Sequence, residues 1–575
     1  EQGFFKSENR YEAKQDDFKK IPGSPIAYWV SKKTINVFKN NNTLGENIAE
    51  VITGMTIGNN DLYLRQWSEI NKSEINLYVE NINLIDLKTS PWIPYVKGGD
   101  TRRWYGNLEY LVNWSQSDNF NRAKTTLKHL YLQEGLTWNF LASTKFNMRY
   151  LPKGFLWDVM GSPCFVEKKW IKYVLGFLLT KLSNDFLNLM NPTLAFQAIE
   201  IAKLPIIFPK QDSIKLTIDQ LTQECIDISK EEWDSRETSW DFTKNELLKH
   251  LVPKGTLCEK SDSKLETAYN NYCSYWKEKF YKLHANEEEL NRLFIDIYEL
   301  GDELTPDVAL KDITILKSES IINDNNELEF KADEIMKQFI SYAVGVMFGR
   351  YSLDKDGLQI ANLGSEILIS QMTDETKVSF PIDDDNVIPV LEDDYFSDDI
   401  ASRVVNFVKT TFGSESLSEN INFIEKCLGK TIRAYMVKDF YEDHIKRYKK
   451  RPIYWMVSSP KKGFMSLSYM HRYTNDLFAR VQNNYLREYI TKLEGTKDIL
   501  RQIIVDESAS SKDKKDADKK IKDIENKLKE LISFDRDVLT SYAQNRVDID
   551  LDDGVKVNYN KFKEVLYVIK GLDKE

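Results

Sequence analysis

The strongest periodic signal lies between Lys169 and Met190. Apolar residues recur three or four apart there, at Tyr173, Val174, Phe177, Leu178, Leu182, Phe186, Leu189 and Met190. Such a stripe predicts a single helix with a wide buried face. Asn191-Pro192 is expected to stop it, because Pro disfavours α geometry in the residue before it. Its longest uncharged run, Tyr173 to Thr180, is far short of the roughly 20 apolar residues of a membrane span. The stripe therefore predicts a core helix. Upstream, Tyr150 to Val159 mixes aromatic and β-branched residues around the turn Pro152-Lys153-Gly154, which reads as strand.

Over 45–210 short β-type runs alternate with turns at Gly54, Gly58, Asn59 and Asn60, at Lys97 to Asp100, and at Tyr105 to Asn107. Residues 211–350 turn helical, with a break at Pro253 to Gly255. Asn286 before an acidic turn predicts a helix start at Glu287. Within the 351–400 linker, residues 381–399 hold eight acidic and no basic side chains, expected to form a solvated face or a surface for a basic partner rather than a metal site. Over 401–575 helices return. Two charged ones, Tyr485 to Val505 and Lys520 to Phe534, read as a helical hairpin or short coiled coil whose seam is Ile521, Ile524, Leu528 and Leu531. Val555 to Ile569 reads as a small strand and helix. Residues 1–44, with turns at Ile21 to Pro25, read as a junction. The fold class expected is α+β: a mixed α/β domain over 45–210, a helical connection over 211–350, then a mainly α-helical C-terminal domain.

With 42% hydrophobic and 29% charged residues, the 575-residue chain has the composition of a soluble globular protein of several domains. Its net charge of −10 argues against a uniformly basic sleeve for nucleic acid, but leaves room for a local patch. Cys164, Cys225, Cys258, Cys273 and Cys427 show no metal or redox spacing, and the histidines are dispersed. Reduced thiols in a cytoplasmic protein are expected, with no membrane partner. The chain begins at Glu1 without an initiator methionine and reads as a fragment or processed half of something longer.

One stretch departs from the acidic average. Between Ser90 and Lys153, nine Lys or Arg residues stand against four acids, an excess of five positives. Local positive charge is what phosphate contacts need. The alternative is an ordinary solvated face with structural aromatics. The candidate contacts are Lys97, Arg102, Arg103, Tyr105, Lys145, Arg149 and Lys153. The polar loop Thr53 to Asp61 adds Thr56, Asn59 and Asn60, where Gly residues permit close backbone approach or simply make a hairpin turn. The run His444 to Arg451 (HIKRYKKR) offers DNA backbone contact, a site for an acidic partner, or a solvated helix end.

The wording of several segments adds to this. Val51 to Trp67, Trp92 to Trp114, Met148 to Phe208, Glu289 to Val308, Ile340 to Leu353, Arg451 to Tyr473 and Asp548 to Phe562 resemble the PglX-type adenine-specific DNA methyltransferases of BREX phage-defence systems, over almost the whole chain. The resemblance implies the C-terminal half of such a protein: a target-recognition region that binds double-stranded DNA, followed by a helical domain. It implies S-adenosylmethionine in the preceding catalytic half and none in this chain. Other BREX-type defence proteins, and a phage-encoded inhibitor, are implied as partners. Two catalytic signatures are absent from the sequence: the Gly-containing loop after a strand, and the Asn/Asp-Pro-Pro-aromatic motif that would hold a flipped adenine. Asn191-Pro192-Thr193-Leu194 begins like the second but lacks its second Pro and its aromatic. No catalytic residue is expected here, and the chain alone is expected to be inactive. The alternatives are a non-catalytic specificity subunit and a protein-interaction scaffold of a defence complex.

Overall fold

The computed structural model describes residues 14–46, 48–142, 145–251 and 264–572. Cys258 and the Pro253 to Gly255 break fall outside them. The fold is α+β, and the chain divides into two compact units. One gathers the residues up to Arg65 with Glu74–Asp234 and Ser274–Phe330; the other gathers Gln66–Ser73, Ser235–Cys273 and the chain from Lys331 onward.

The first unit holds the mixed α/β part. One antiparallel sheet runs in the order Ala49–Val51, Pro163–Val166, Gly135–Trp138, Met148–Leu151, with Ala49 opposite Val166 and Leu136 opposite Tyr150. In a second sheet Trp92–Val96 lies between Tyr110–Asn113, antiparallel, and Leu156–Trp157, parallel. The expected strand over Tyr150 to Val159 is thus two strands in two sheets, parted by the turn at Gly154 (φ +93°). Trp92, Trp138 and Trp157 are fully buried and fill the core, each worth a few kcal/mol of transfer energy.

The helix expected from Lys169 to Met190 is in fact two, Ile171–Leu178 and Lys181–Met190. Thr180 makes the break: its backbone is extended and its hydroxyl accepts from the Ser183 amide at 3.2 Å, a better N-cap than a helix interior residue. Apolar spacing cannot register this, because both helices keep one buried face. The expected stop holds, with Asn191 extended after Met190. Asp212–Asp234 packs across Gly176, where a Cβ would come within 2.7 Å of Thr222 Oγ1. The helix start expected at Glu287 is a correction: Asn286 lies inside one continuous helix, Leu265–Ile297, and donates to Glu224 Oε2 at 2.9 Å instead of capping.

In the second unit Ala332–Met347, Ile400–Phe412 and Leu417–Leu428 pack on one another, and the unit also holds a small antiparallel sheet, Ile388–Pro389, Met465–Tyr469 and Tyr454–Ser458. That sheet corrects the acidic stretch in part: Asp384, Glu392, Asp393 and Asp394 stay exposed as a solvated face requires, but an apolar strand runs between them. Val387, Ile388 and Val390 are core residues, and Asp383 and Asp399 are buried. Asp399 caps Ile400–Phe412 and pairs with Arg433, so its charge serves the helix rather than solvent. The expected hairpin is present as Arg487–Val505 and Ser511–Phe534, with Ile521, Leu528 and Leu531 buried in its seam. Gly554–Asn560 is the expected terminal helix, and an isolated bridge joins Val457 to Leu566. Among the described residues no helix is long and apolar enough to cross a membrane, and none of the four cysteines is in a disulfide.

Candidate nucleic-acid interface

The ten residues singled out by charge and turn pattern fall into three groups. Thr56, Asn59, Asn60 and Lys97 come together. The segment after Gly54 is pinned by hydrogen bonds from Met55 N to Trp157 O (2.9 Å) and from Val159 N to Met55 O (2.8 Å). A Cβ on Gly54 would overlap the Asp158 carbonyl, so only glycine lets the strand and loop approach this closely. Gly58 turns the chain at φ +88°, after which Asn59 caps Asn60–Tyr63 by accepting from Asp61 N and Leu62 N. Lys97 Nζ reaches Asn60 Oδ1 at 2.8 Å and Asp158 Oδ2 at 3.2 Å, and the Tyr95 hydroxyl donates to the same carboxylate at 3.0 Å. Gly58 to Asp61 are exposed while their supports are buried, which leaves a polar edge on a rigid base.

Arg102, Arg103, Tyr105 and Arg149 turn inward. Arg149 is fully buried and therefore unavailable to a phosphate: it donates to Asn139 Oδ1 at 2.9 Å and Asn147 Oδ1 at 3.1 Å, and burial, with the nearby Arg102 charge, lowers its pKa to about 9. Arg102 pairs with the buried carboxylate of Glu232 and lies 5.0 Å from the ring centroid of Trp233. Arg103 meets Glu287 at 2.5 Å and donates to the Leu179 carbonyl, at the break between the two helices. Trp104 Nε1 donates to the other Glu287 oxygen at 2.7 Å. Tyr105 is buried, with Lys230 Nζ 5.4 Å from its ring centroid.

Lys145 and Lys153 stay exposed but are paired, to Asp312 at 2.6 Å and Glu80 at 3.0 Å. Five of the nine cations are thereby paired with carboxylates that lie outside the counted window: Lys97 with Asp158, Arg102 with Glu232, Arg103 with Glu287, Lys145 with Asp312 and Lys153 with Glu80.

Charge without a partner lies in a neighbouring stretch. Thr56 and Arg122 exchange backbone hydrogen bonds of 3.0 and 2.9 Å, which seats the segment after Phe120 against the Thr53 to Asp61 loop. A Cβ on Gly58 would stand 2.9 Å from the Asn121 side chain. From there Arg122, Lys124 and Lys128 project with no carboxylate in ion-pair range among the described residues. Partial burial and the Arg122 charge lower the pKa of Lys124, the signature of cations held together without a counter-charge. In the sequence these three look no different from the other six basic residues between Ser90 and Lys153. The available signal is that nothing acidic stands between Asp118 and Glu134.

In the second unit, the basic run divides: Lys446, Lys449 and Lys450 stay exposed at the helix end, while His444 and Arg447 turn inward. His444 is fully buried, with its pKa well below the usual range because of burial, and Arg447 pairs with buried Glu237 at 3.0 Å. Asp383, Asp384 and Asp385 bring carboxylate oxygens within 4.8 Å of one another, a spacing that suits a cation. The protein already supplies positive charge to them: Arg403 stands 3.9 Å from Asp383, and the carboxylates act on Arg472 as well.

No family model matches the chain. Two curated proteins match nearly all of it. The adenine-specific methyltransferase BrxX of Escherichia coli O9:H4 (strain HS) is 36% identical over 97% of this chain and 46% of its own length. The adenine-specific methyltransferase PglX of Lacticaseibacillus casei (strain Zhang) is 37% identical over 96% of this chain and 45% of its own length. The chain thus spans about half the length of the curated relatives it matches.

Proposed function

The chain is a PglX-type sequence, and from that premise we propose that it is the DNA-recognition portion of an adenine N6-methyltransferase acting in phage defence. It binds duplex DNA and selects the target sequence. The observation that carries this reading is the unneutralised group Arg122, Lys124 and Lys128 beside the exposed polar edge Gly58 to Asp61. The cations contact phosphates and set the register, while Asn59, Asn60 and Asn121 are placed to read base edges. Lys97 acts through Asn60, to which it donates. Arg102, Arg103 and Arg149 support the interface from inside.

S-adenosylmethionine and methyl transfer are assigned to the part of the parent protein outside this chain, because no residue here forms a motif suited to either. Other defence proteins, and a phage-encoded inhibitor, are the expected macromolecular partners.

Fluorescence anisotropy with duplex DNA between roughly 50 and 200 mM salt tests the proposal. Replacing Arg122, Lys124 and Lys128 together by Ala should reduce the slope of log K against log salt by about 2.7, or about 0.9 per phosphate contact. An unchanged slope would overturn the assignment. A parallel readout is chromosomal N6-methyladenine in cells carrying the intact gene with the same three substitutions, which should fall.

A further inference from the structure

The hydrogen bonds beneath the exposed edge Gly58 to Asp61 decide which half of two amides faces outward. Asn59 Oδ1 accepts from the Asp61 amide at 3.0 Å and from the Leu62 amide at 3.2 Å, so both of its lone pairs are used. Asn60 Oδ1 accepts from Lys97 Nζ at 2.8 Å, and Lys97 is held in turn by the buried carboxylate of Asp158. The oxygen and nitrogen of an amide are easily interchanged, but not at these two residues. Backbone N–H groups and an ammonium only donate, so the amide atom that faces them is the oxygen.

What remains for a ligand is the Nδ2 group of each residue. Asn59 and Asn60 are exposed, and neither Nδ2 donates to another residue among the described ones. An asparagine with both ends free pairs bidentately with adenine, through N6 and N7. That option is closed here, because Asn59 has no acceptor left and Asn60 Oδ1 is turned to Lys97. Asn121 differs: its side chain makes no hydrogen bond among the described residues and turns either end outward.

In the major groove guanine O6 and thymine O4 accept, whereas adenine N6 and cytosine N4 donate. We infer that Asn59 and Asn60 form a donor-only edge that reads the keto oxygen of guanine or thymine and not the amino group of adenine or cytosine. Lys97 is a positioning residue, since its bond to Asn60 fixes which end of that amide is presented. The inference rests on the reading of this edge as a DNA contact and adds the base chemistry that the edge selects.

Selection from randomised duplexes by the full chain, as wild type and as Asn59→Ser, locates the base pair that Asn59 reads. Serine is also a good N-cap, so the fold is retained, but it is too short to bring a donor to the groove. At that pair the keto oxygen is then deleted, with 2-aminopurine for guanine or 5-methyl-2-pyrimidinone for thymine. The deletion should weaken binding by the wild type about tenfold and by Asn59→Ser less than about twofold. Deleting the amino group of the opposite base, with purine for adenine or 2-pyrimidinone for cytosine, should affect both proteins alike. Three results would each overturn the inference: the same selected sequences for both proteins, equal effects of the keto deletion on both, or a wild type that responds to the amino deletion instead. The salt slope assigned to Arg122, Lys124 and Lys128 separates this from the DNA reading. A wild type with no salt-dependent binding overturns both, whereas a steep slope with any of the three results overturns the base chemistry alone.

Discussion

Arg103 Nη1 lies 2.5 Å from Glu287 Oε2, across 184 residues of sequence, and Trp104 Nε1 holds the second oxygen of the same carboxylate at 2.7 Å. This is a buried pair that fastens the β-rich part of the first unit to the long helix Leu265–Ile297. A buried pair adds little net stability once desolvation is counted, but breaking it leaves a naked charge inside.

Arg103→Ala should therefore destabilise the protein by about 3 kcal/mol, read as a lower urea midpoint with an unchanged m-value. If Arg103 instead faced phosphate, the substitution would leave the midpoint alone and weaken DNA binding.

For Arg149 the expected result is a dissociation of two readouts. Arg149→Met should lower thermal stability, because Asn139 and Asn147 lose a buried donor. The salt slope of DNA binding should stay within error of the wild type, since a fully buried side chain releases no counterion. Loss of slope in a protein of normal stability would return Arg149 to the interface.

Gly54→Ala should cost about 1–3 kcal/mol, because the added methyl must displace the Asp158 backbone. The same shift moves the Thr53 to Asp61 loop away from Arg122, so DNA affinity should drop along with the midpoint. An alanine variant with wild-type stability would show that the strand and loop are not this closely apposed.

The acidic cluster of the second unit predicts a pH dependence. Burial, with Asp385 adding to it, pushes the Asp383 carboxyl up to about 7 despite Arg403. From roughly pH 4 to pH 7 the folded protein keeps a proton that the unfolded chain has released. Stability should accordingly fall as pH rises through that window, by up to about 1.4 kcal/mol per unit. Asp383→Asn keeps an acceptor for the Val387 amide, which now donates to Asp383 at 2.9 Å. It should remove that part of the slope, as measured by urea unfolding at several pH values. Identical slopes in both proteins would refute the assignment.

Local pattern determined a good deal by itself. Apolar spacing marked the seam of the hairpin from Ser511, Asn191-Pro192 stopped its helix, and glycine and asparagine marked the turn at Gly58. Those features depend on neighbours within a few residues. Tertiary structure decided which charges remain available. Arg102, Arg103 and Lys145 look like a basic patch until Glu232, Glu287 and Asp312 arrive from distant parts of the chain. It also decided that Asn286 is a helix interior residue, and that Ile388 between two acidic runs is a strand in a buried sheet. An ion pair or a strand partner has no period and no fixed sequence separation. Its contribution depends on burial, which only the folded chain creates.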